Sequence, residues 1–275
     1  MTTPYQQQHA PGVGYTSPIP IRRAHLGDAI ASEWTKIRSV RSTIWTLGVM
    51  ALLLIGIGLA IAAAISGSDT DVDGQPILSL GFFGVLLSSI CVMTLGVLTI
   101  ASEYGTGMIR TTLTACPSRG RVLTAKAIVF FALVFTVTLA FTLLVGAAQV
   151  AIIDQGSPSS EEWLRSTLGV SLYLALLGLL SLAVGSLIRH SAGAITIMIG
   201  LVLLPLVMAM FMFTESLSWL QDALLEYSIP SQLGVLYDNS VTDSGPTGWE
   251  PLWIMLGVAA VALGSAYATM NARDV

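Results

Sequence analysis

The sequence predicts an all-α membrane protein with six transmembrane helices and an N-terminal interfacial amphipathic helix. Three observations predict it. First, 54% of the 275 residues are hydrophobic and only 10% are charged, with a mean hydropathy of +0.78. An ordinary soluble domain carries about 25% charged residues, so a soluble fold of this length would lack a charged skin. Second, charge-free intervals of 22 to 29 residues separate Arg41 from Asp69, Asp73 from Glu103, Lys126 from Asp154, Arg165 from Arg189, Arg189 from Glu215, and Glu250 from Arg273. A charge costs roughly 2.5–3.5 kcal/mol at mid-bilayer and a spanning helix needs about 20 residues, so each interval accommodates one span. Third, the basic residues sort by side. With six spans, Arg22, Arg23, Lys36, Arg38, Arg41, Arg110, Arg119, Arg121, Lys126, Arg189 and Arg273 share the side of the two termini, and only Arg165 lies opposite. Of the 16 acidic residues, 12 fall on the side of Arg165. Cytoplasmic loops collect Lys and Arg. A multi-pass protein of the cell membrane with both termini cytoplasmic is therefore expected, and an odd number of spans would spoil the sorting.

Taken in order, residues 1–20 read as a disordered cytoplasmic tail. They are rich in Gln, Pro, Gly and Tyr, and lack the basic start and apolar core of a signal peptide. Residues 21–42 form the interfacial region. Leu26, Ala29, Ile30, Trp34, Ile37 and Val40 recur at helical spacing, with Asp28, Ser32, Thr35, Lys36 and Ser39 opposite. Such a helix lies along a membrane surface. Glu33 is the anomaly: its angle places it among the apolar residues, where a carboxylate needs a partner. It either snorkels or pairs with a nearby arginine, or it contacts another helix end or a partner subunit.

Residues 43–275 form the six-helix transmembrane domain, with helices predicted near 43–66, 77–101, 123–152, 164–188, 192–213 and 249–270. The second loop, Ser102–Arg121, is longer than a bare connector of 2–8 residues. Gly105 and Gly107 end the second span, and Met108, Ile109 and Leu113 give a short helix one apolar face, which Pro117 stops. The fourth loop is the tight turn Arg189-His190-Ser191, with His190 read as structural. In the fifth loop, Leu217, Trp219, Leu220 and Leu224 predict a short amphipathic helix. Ile229-Pro230 interrupts it, Leu233, Val235 and Leu236 follow, and part of this loop is expected to dip back into the membrane, where protein or water must cover its backbone. Gln149 is expected to hydrogen-bond another helix. Pro205 is expected to kink the fifth span, and Met208, Met210 and Met212 to pack or face lipid. The pairs Ser181/Gly185 and Ala260/Gly264/Ala268 permit close helix contacts.

Catalytic motifs are missing. There is no GxxxxGK[ST] to cradle a nucleotide phosphate, no HExxH and no GxSxG. No span carries an Asp, Glu, Lys or Arg near its centre, which weighs against an ion-coupled carrier. Asp69 to Gly74 copies the opening of a calcium loop, but its twelfth position is Leu80 rather than Glu. Cys91 and Cys116 lie in unlike contexts, so no disulfide framework is expected. No catalytic residue, metal, cofactor or nucleic-acid partner is expected.

Several segments resemble one family. Ser32-Glu33-Trp34-Thr35-Lys36-Ile37-Arg38-Ser39 resembles the opening segment of bacterial ABC-2 type permeases, the membrane subunits of ABC exporters. Glu103-Tyr104, Gly107-Met108-Ile109-Arg110, Pro117, Arg119, Arg121 and Lys126 resemble that family's loop after the second span, and Ile229-Pro230-Ser231 its segment before the last span. Met108 departs from the family's usual Thr or Ser, and Gly105-Thr106 offers an alternative register two residues earlier. The resemblance implies an ABC-2 type transmembrane domain coupled to two copies of a separate ABC ATPase subunit. It also implies a second permease copy or a paralogue in the same bilayer. It assigns Glu33, Trp34 and Lys36 to the interfacial helix, and Glu103, Tyr104, Gly107, Met108, Ile109, Arg110 and Leu113 to the ATPase-coupling elbow. The uncharged spans favour amphiphilic or apolar cargo. A stand-alone secondary transporter and a membrane scaffold or regulator are the alternatives. The former would show an inverted repeat with broken helices, for which Pro205 is the only hint.

Overall fold

The computed structural model describes residues 25–67, 76–153, 157–212, 214–240 and 244–272, the side chain of Glu215 excepted. The tail over 1–20, Arg22, Arg23, the acidic loop over 69–74, Asp154 and Arg273 lie outside the described residues. Among the described residues the fold is helical, with no strand. The helices are α1 (Leu26–Ser39), α2 (Arg41–Ser66), α3 (Phe82–Gly105, led in by a 3-10 turn Ile77–Gly81), α4 (Met108–Ala115) and α5 (Arg119–Ile152). They continue with α6 (Ser160–Trp163), α7 (Val170–Ile188), α8 (Ser191–Met210), α9 (Ser218–Glu226), α10 (Ile229–Leu236) and α11 (Glu250–Ala272). Six helical stretches are long and apolar enough to cross a membrane: Arg41–Ser66, Ile77–Gly105, Arg119–Ile152, Ser160–Ile188, Ser191–Met210 and Glu250–Ala272. They coincide with the six intervals defined by charge.

The fourth span forms the axis of the bundle. Tyr173, Leu174, Leu177 and Leu182 of α7 are fully buried and share one core with Val92, Met93 and Ile100 of α3, Phe130 and Val134 of α5, Met50 and Leu54 of α2, Met198 of α8, and Met255 of α11. In lipid, helices gain little by hiding apolar surface from one another, so small residues decide which pairs approach closely. A Cβ on Gly96 would lie 2.5 Å from the Gly178 carbonyl oxygen, and one on Gly185 would lie 3.0 Å from that of Val97. The Ser181/Gly185 pair therefore seats α7 on α3, whereas Ala260, Gly264 and Ala268 of α11 face outward. Gln149 behaves as expected, its Nε2 donating to Gly58 O of α2 at 3.2 Å. Met208 and Met210 are exposed, and Pro205 lies inside a continuous α8.

Several expected boundaries move: the fourth stretch starts at Ser160 rather than near 164, the fifth ends at Met210 rather than near 213, and two shifts reshape the second loop. The second span continues through Glu103 to Gly105, and the third starts at Arg119 rather than near 123. The second loop therefore shrinks to α4 between two short turns. Gly107 supplies the first with φ +72, a conformation that costs glycine nothing. The 34 residues of α5 make a rod of about 51 Å, against a hydrocarbon core of about 30 Å. Its charged first turns thus extend past the apolar layer.

At the far end the fifth loop does fold back. Ile229, Leu233 and Leu236 of α10, with Tyr237 after it, join the core of the spans. Tyr173 Oη donates to Gln232 Oε1 at 3.3 Å, and Gln232 Nε2 donates to Tyr227 O at 2.9 Å. The fourth span begins with a π-helical turn, Leu164–Gly169, which holds the buried Arg165. Its Nη1 reaches Asp238 Oδ1 at 3.2 Å. α9 lies where Leu220 and Leu224 predict it, with Trp219 exposed.

Candidate functional site: a buried four-charge cluster at the basic end

Glu33 does have a partner. On α1 it is the one buried residue, at the centre of the face that packs on α5. Glu33 Oε2 receives Lys126 Nζ at 2.7 Å, and Glu33 Oε1 receives Lys36 Nζ at 2.8 Å. Both ammonium groups also donate to Glu103 Oε1, Lys126 at 2.6 Å and Lys36 at 3.0 Å. The third proton of Lys36 goes to Thr112 Oγ1 at 3.2 Å, and that of Lys126 to Thr99 O at 3.3 Å. An ammonium has three donors, so each lysine makes its full complement of bonds. The cluster thereby joins α1, α3, α4 and α5.

Electrostatics explains why it holds. Lys126 is 1% exposed, and Glu33 and Glu103 are 4% exposed. Isolated, each would pay several kcal/mol of desolvation. Together they form two cations and two anions with no net charge, each in direct contact with its opposites. One valence is left over, because Glu103 Oε2 is buried without a hydrogen-bond partner. Burial by itself would lower the pKa of Lys36, but the bonds and charges of Glu33 and Glu103 outweigh it and hold the pKa above the ordinary 10.5. A raised lysine pKa stabilises the fold fully below its unfolded value and loses that contribution as pH climbs through the folded one. The thermal midpoint is therefore expected to show no loss attributable to Lys36 from pH 7 to about pH 10, and a loss above about 10.5 that Lys36→Met lacks. An equal alkaline loss in both proteins would exclude Lys36 as its source.

The other expected residues divide. Ile109 is buried and Leu113 half-buried, so they anchor α4. Met108 and Arg110 are exposed, and so is Trp34, which stands off the edge of the packed face. Arg189, held at φ +59 as the C-cap of α7, places its guanidinium 5.0 Å from the centre of the Tyr104 ring. That contact ties the fourth loop to the end of the second span. His190 has the structural role expected, its Nδ1 accepting from Gly193 N at 3.1 Å. A cleft of about 420 Å³ separates α1 from α4, with Asp28, Ser32 and Lys36 on one wall and Met108, Thr111 and Cys116 on the other. Among the described residues, no group of His, Cys, Asp and Glu is placed to hold a metal.

Lys126 and Thr112 were not among the site residues expected from the sequence. A signal for Lys126 existed: Val122, Lys126, Val129, Val134 and Thr138 trace the buried stripe of α5, so a lysine occupies a core position, as a glutamate does on α1. Chemically, the arrangement is a fastening. It ties two short surface helices, α1 and α4, to the ends of two spans. No family model matches the chain, and no curated protein matches it.

Proposed function

We propose that the chain is the membrane-spanning subunit of an ATP-driven exporter of the ABC-2 type. In this reading it forms the substrate pathway and draws its energy from a separate ATPase subunit docked at the basic end. The observation that carries the reading is the four-charge cluster. A subunit driven from outside needs a rigid link between its docking surface and its spans, and Glu33, Lys36, Glu103, Lys126 and Thr112 supply one. The walls of the α1–α4 cleft would receive the partner, with Met108 and Arg110 presented outward. Displacement of either short helix then passes directly into α3 and α5. The resemblance in sequence falls on four of these five residues, Glu33, Lys36, Glu103 and Lys126. A second permease copy completes the pathway, amphiphilic or apolar molecules are its cargo, and the basic end faces the cytoplasm.

The test is recovery of the tagged chain from the membranes of its own cells. An ATPase subunit with a phosphate-binding GxxxxGK[ST] loop is expected to co-elute, and flux in reconstituted vesicles is expected to stop when ATP is withheld. Flux carried by the chain alone, without nucleotide, sinks the proposal.

A further inference from the structure

We propose that the corner between α1 and α2 is a seat for the phosphate headgroups of anionic phospholipids, in the leaflet that meets the basic end. The chain has two lysines, Lys36 and Lys126, and all its other basic residues are arginine. Both lysines are consumed by the buried cluster, and so are both of its carboxylates. The remaining carboxylate of the basic end among the described residues, Asp28, accepts from His25 N at 2.9 Å and caps α1. Past the first turn of α1, the exposed charged residues described there are arginines, Arg38, Arg41 and Arg110, with Lys36 a quarter exposed but held in its ion pairs.

Arg38 and Arg41 stand on either side of the break at Val40, both exposed and neither in an ion pair among the described residues. Around them lie Trp34 at 44% exposure, Ile44 at 57% and Trp45 at 75%. The guanidinium fork matches phosphate in two places at once. Tryptophan beside arginine at the start of a span is the composition of the membrane–water boundary. An acidic protein surface would satisfy the two arginines but would leave Trp45, in the second turn of an apolar span, against hydrocarbon without a headgroup neighbour. A lipid satisfies both. Two arginines near an anionic surface favour it by roughly fivefold each. The proposal rests on the chain spanning a bilayer, not on its being an exporter subunit.

Tryptophan quenching reads this once Trp163, Trp219, Trp249 and Trp253 are replaced by phenylalanine, which leaves Trp34 and Trp45 as the reporters, and this background serves as the unaltered chain below. The full chain is placed in phosphatidylcholine vesicles carrying the same fraction of either brominated phosphatidylglycerol or brominated phosphatidylcholine. The anionic lipid is expected to quench more strongly. The excess is expected to fall by at least half in Arg38→Gln/Arg41→Gln, to survive Arg110→Gln on α4, and to fade as salt rises from about 0.1 to about 1 M, where the screening length drops from about 10 to about 3 Å. Equal quenching by the two lipids in the unaltered chain overturns the proposal. An excess untouched by the double substitution, or reduced as much by Arg110→Gln, overturns it too. Quenching by neither lipid removes the spanning architecture with it. A lipid preference in a chain that brings down no ATPase leaves the lipid seat standing while the exporter reading falls.

Discussion

Replacing Lys126 with methionine is expected to lower stability by about 3–5 kcal/mol, the range for removing one partner of a buried ion pair. The methionine fills much of the lysine's volume, so a cavity is not the cause. The substitution leaves Glu33 and Glu103 facing each other with Lys36 as their only cation, and strands one negative charge in a region that is almost fully buried. Thermal unfolding in detergent measures the loss. Adding Glu103→Gln to the same chain restores neutrality, with Lys36 and Glu33 still paired, so the double variant should lose clearly less than the sum of the two single changes. A loss below about 1 kcal/mol for Lys126→Met would place it in the range of solvated pairs and deny α1 its fastening.

The second large effect is expected at Gly96. Its Cβ position lies 2.5 Å from Gly178 O, 2.9 Å from Ser181 Cβ and 3.2 Å from Leu182 N, so two of the three obstructing atoms are backbone. Backbone in a helix cannot step aside as a flexible side chain can. Gly96→Leu must push α3 off α7, the helix at the centre of the core, at a cost of about 3 kcal/mol or more, the upper end of the overpacking range. Gly56→Ala on α2 is the matched control. Nothing lies within 4 Å of its Cβ, and alanine suits a helix better than glycine by up to about 1 kcal/mol. Comparable melting of the two variants would show that the Gly96–Gly178 approach does not hold the bundle together.

Much of the fold was legible because hydrocarbon is an unforgiving solvent. Charge-free intervals can hardly be anything but spans, so Asp73 to Glu103 and Arg189 to Glu215 identify α3 and α8 before any contact is known. Local chemistry carried further: Gly105 and Gly107 end the second span ahead of the short helix α4, and His190 reads as structural, although its capping of α8 and the helix that begins at Ile229-Pro230 were not foreseen. What stayed hidden was long-range pairing. Glu33 advertised its need, but the cation that answers it is Lys126, 93 positions away, on a residue that the sorting of charges by side counts as part of a loop. The span ends were misjudged for the same reason. Glu103 and Lys126 look like termini when each charge must find water, and they sit inside helices because here they find each other at 2.6 Å, while Arg119 opens α5 and donates to the Met270 carbonyl at 2.7 Å. The π-helical turn around Arg165 leaves no periodic trace in the sequence at all.

That turn gives the molecule two mechanically unlike ends. Among the described residues, the side-chain bonds that hold α10 and the turn after it include the pair between Arg165 and the half-exposed Asp238, the bond from Tyr173 to Gln232 and that from Gln232 to Tyr227 O, each worth about 1 kcal/mol. Four interlocked charges brace the opposite pole. Polar contacts between elements are thus sparse at the α10 pole, and the apolar burial of Ile229, Leu233, Leu236 and Tyr237 in the common core carries α10 instead.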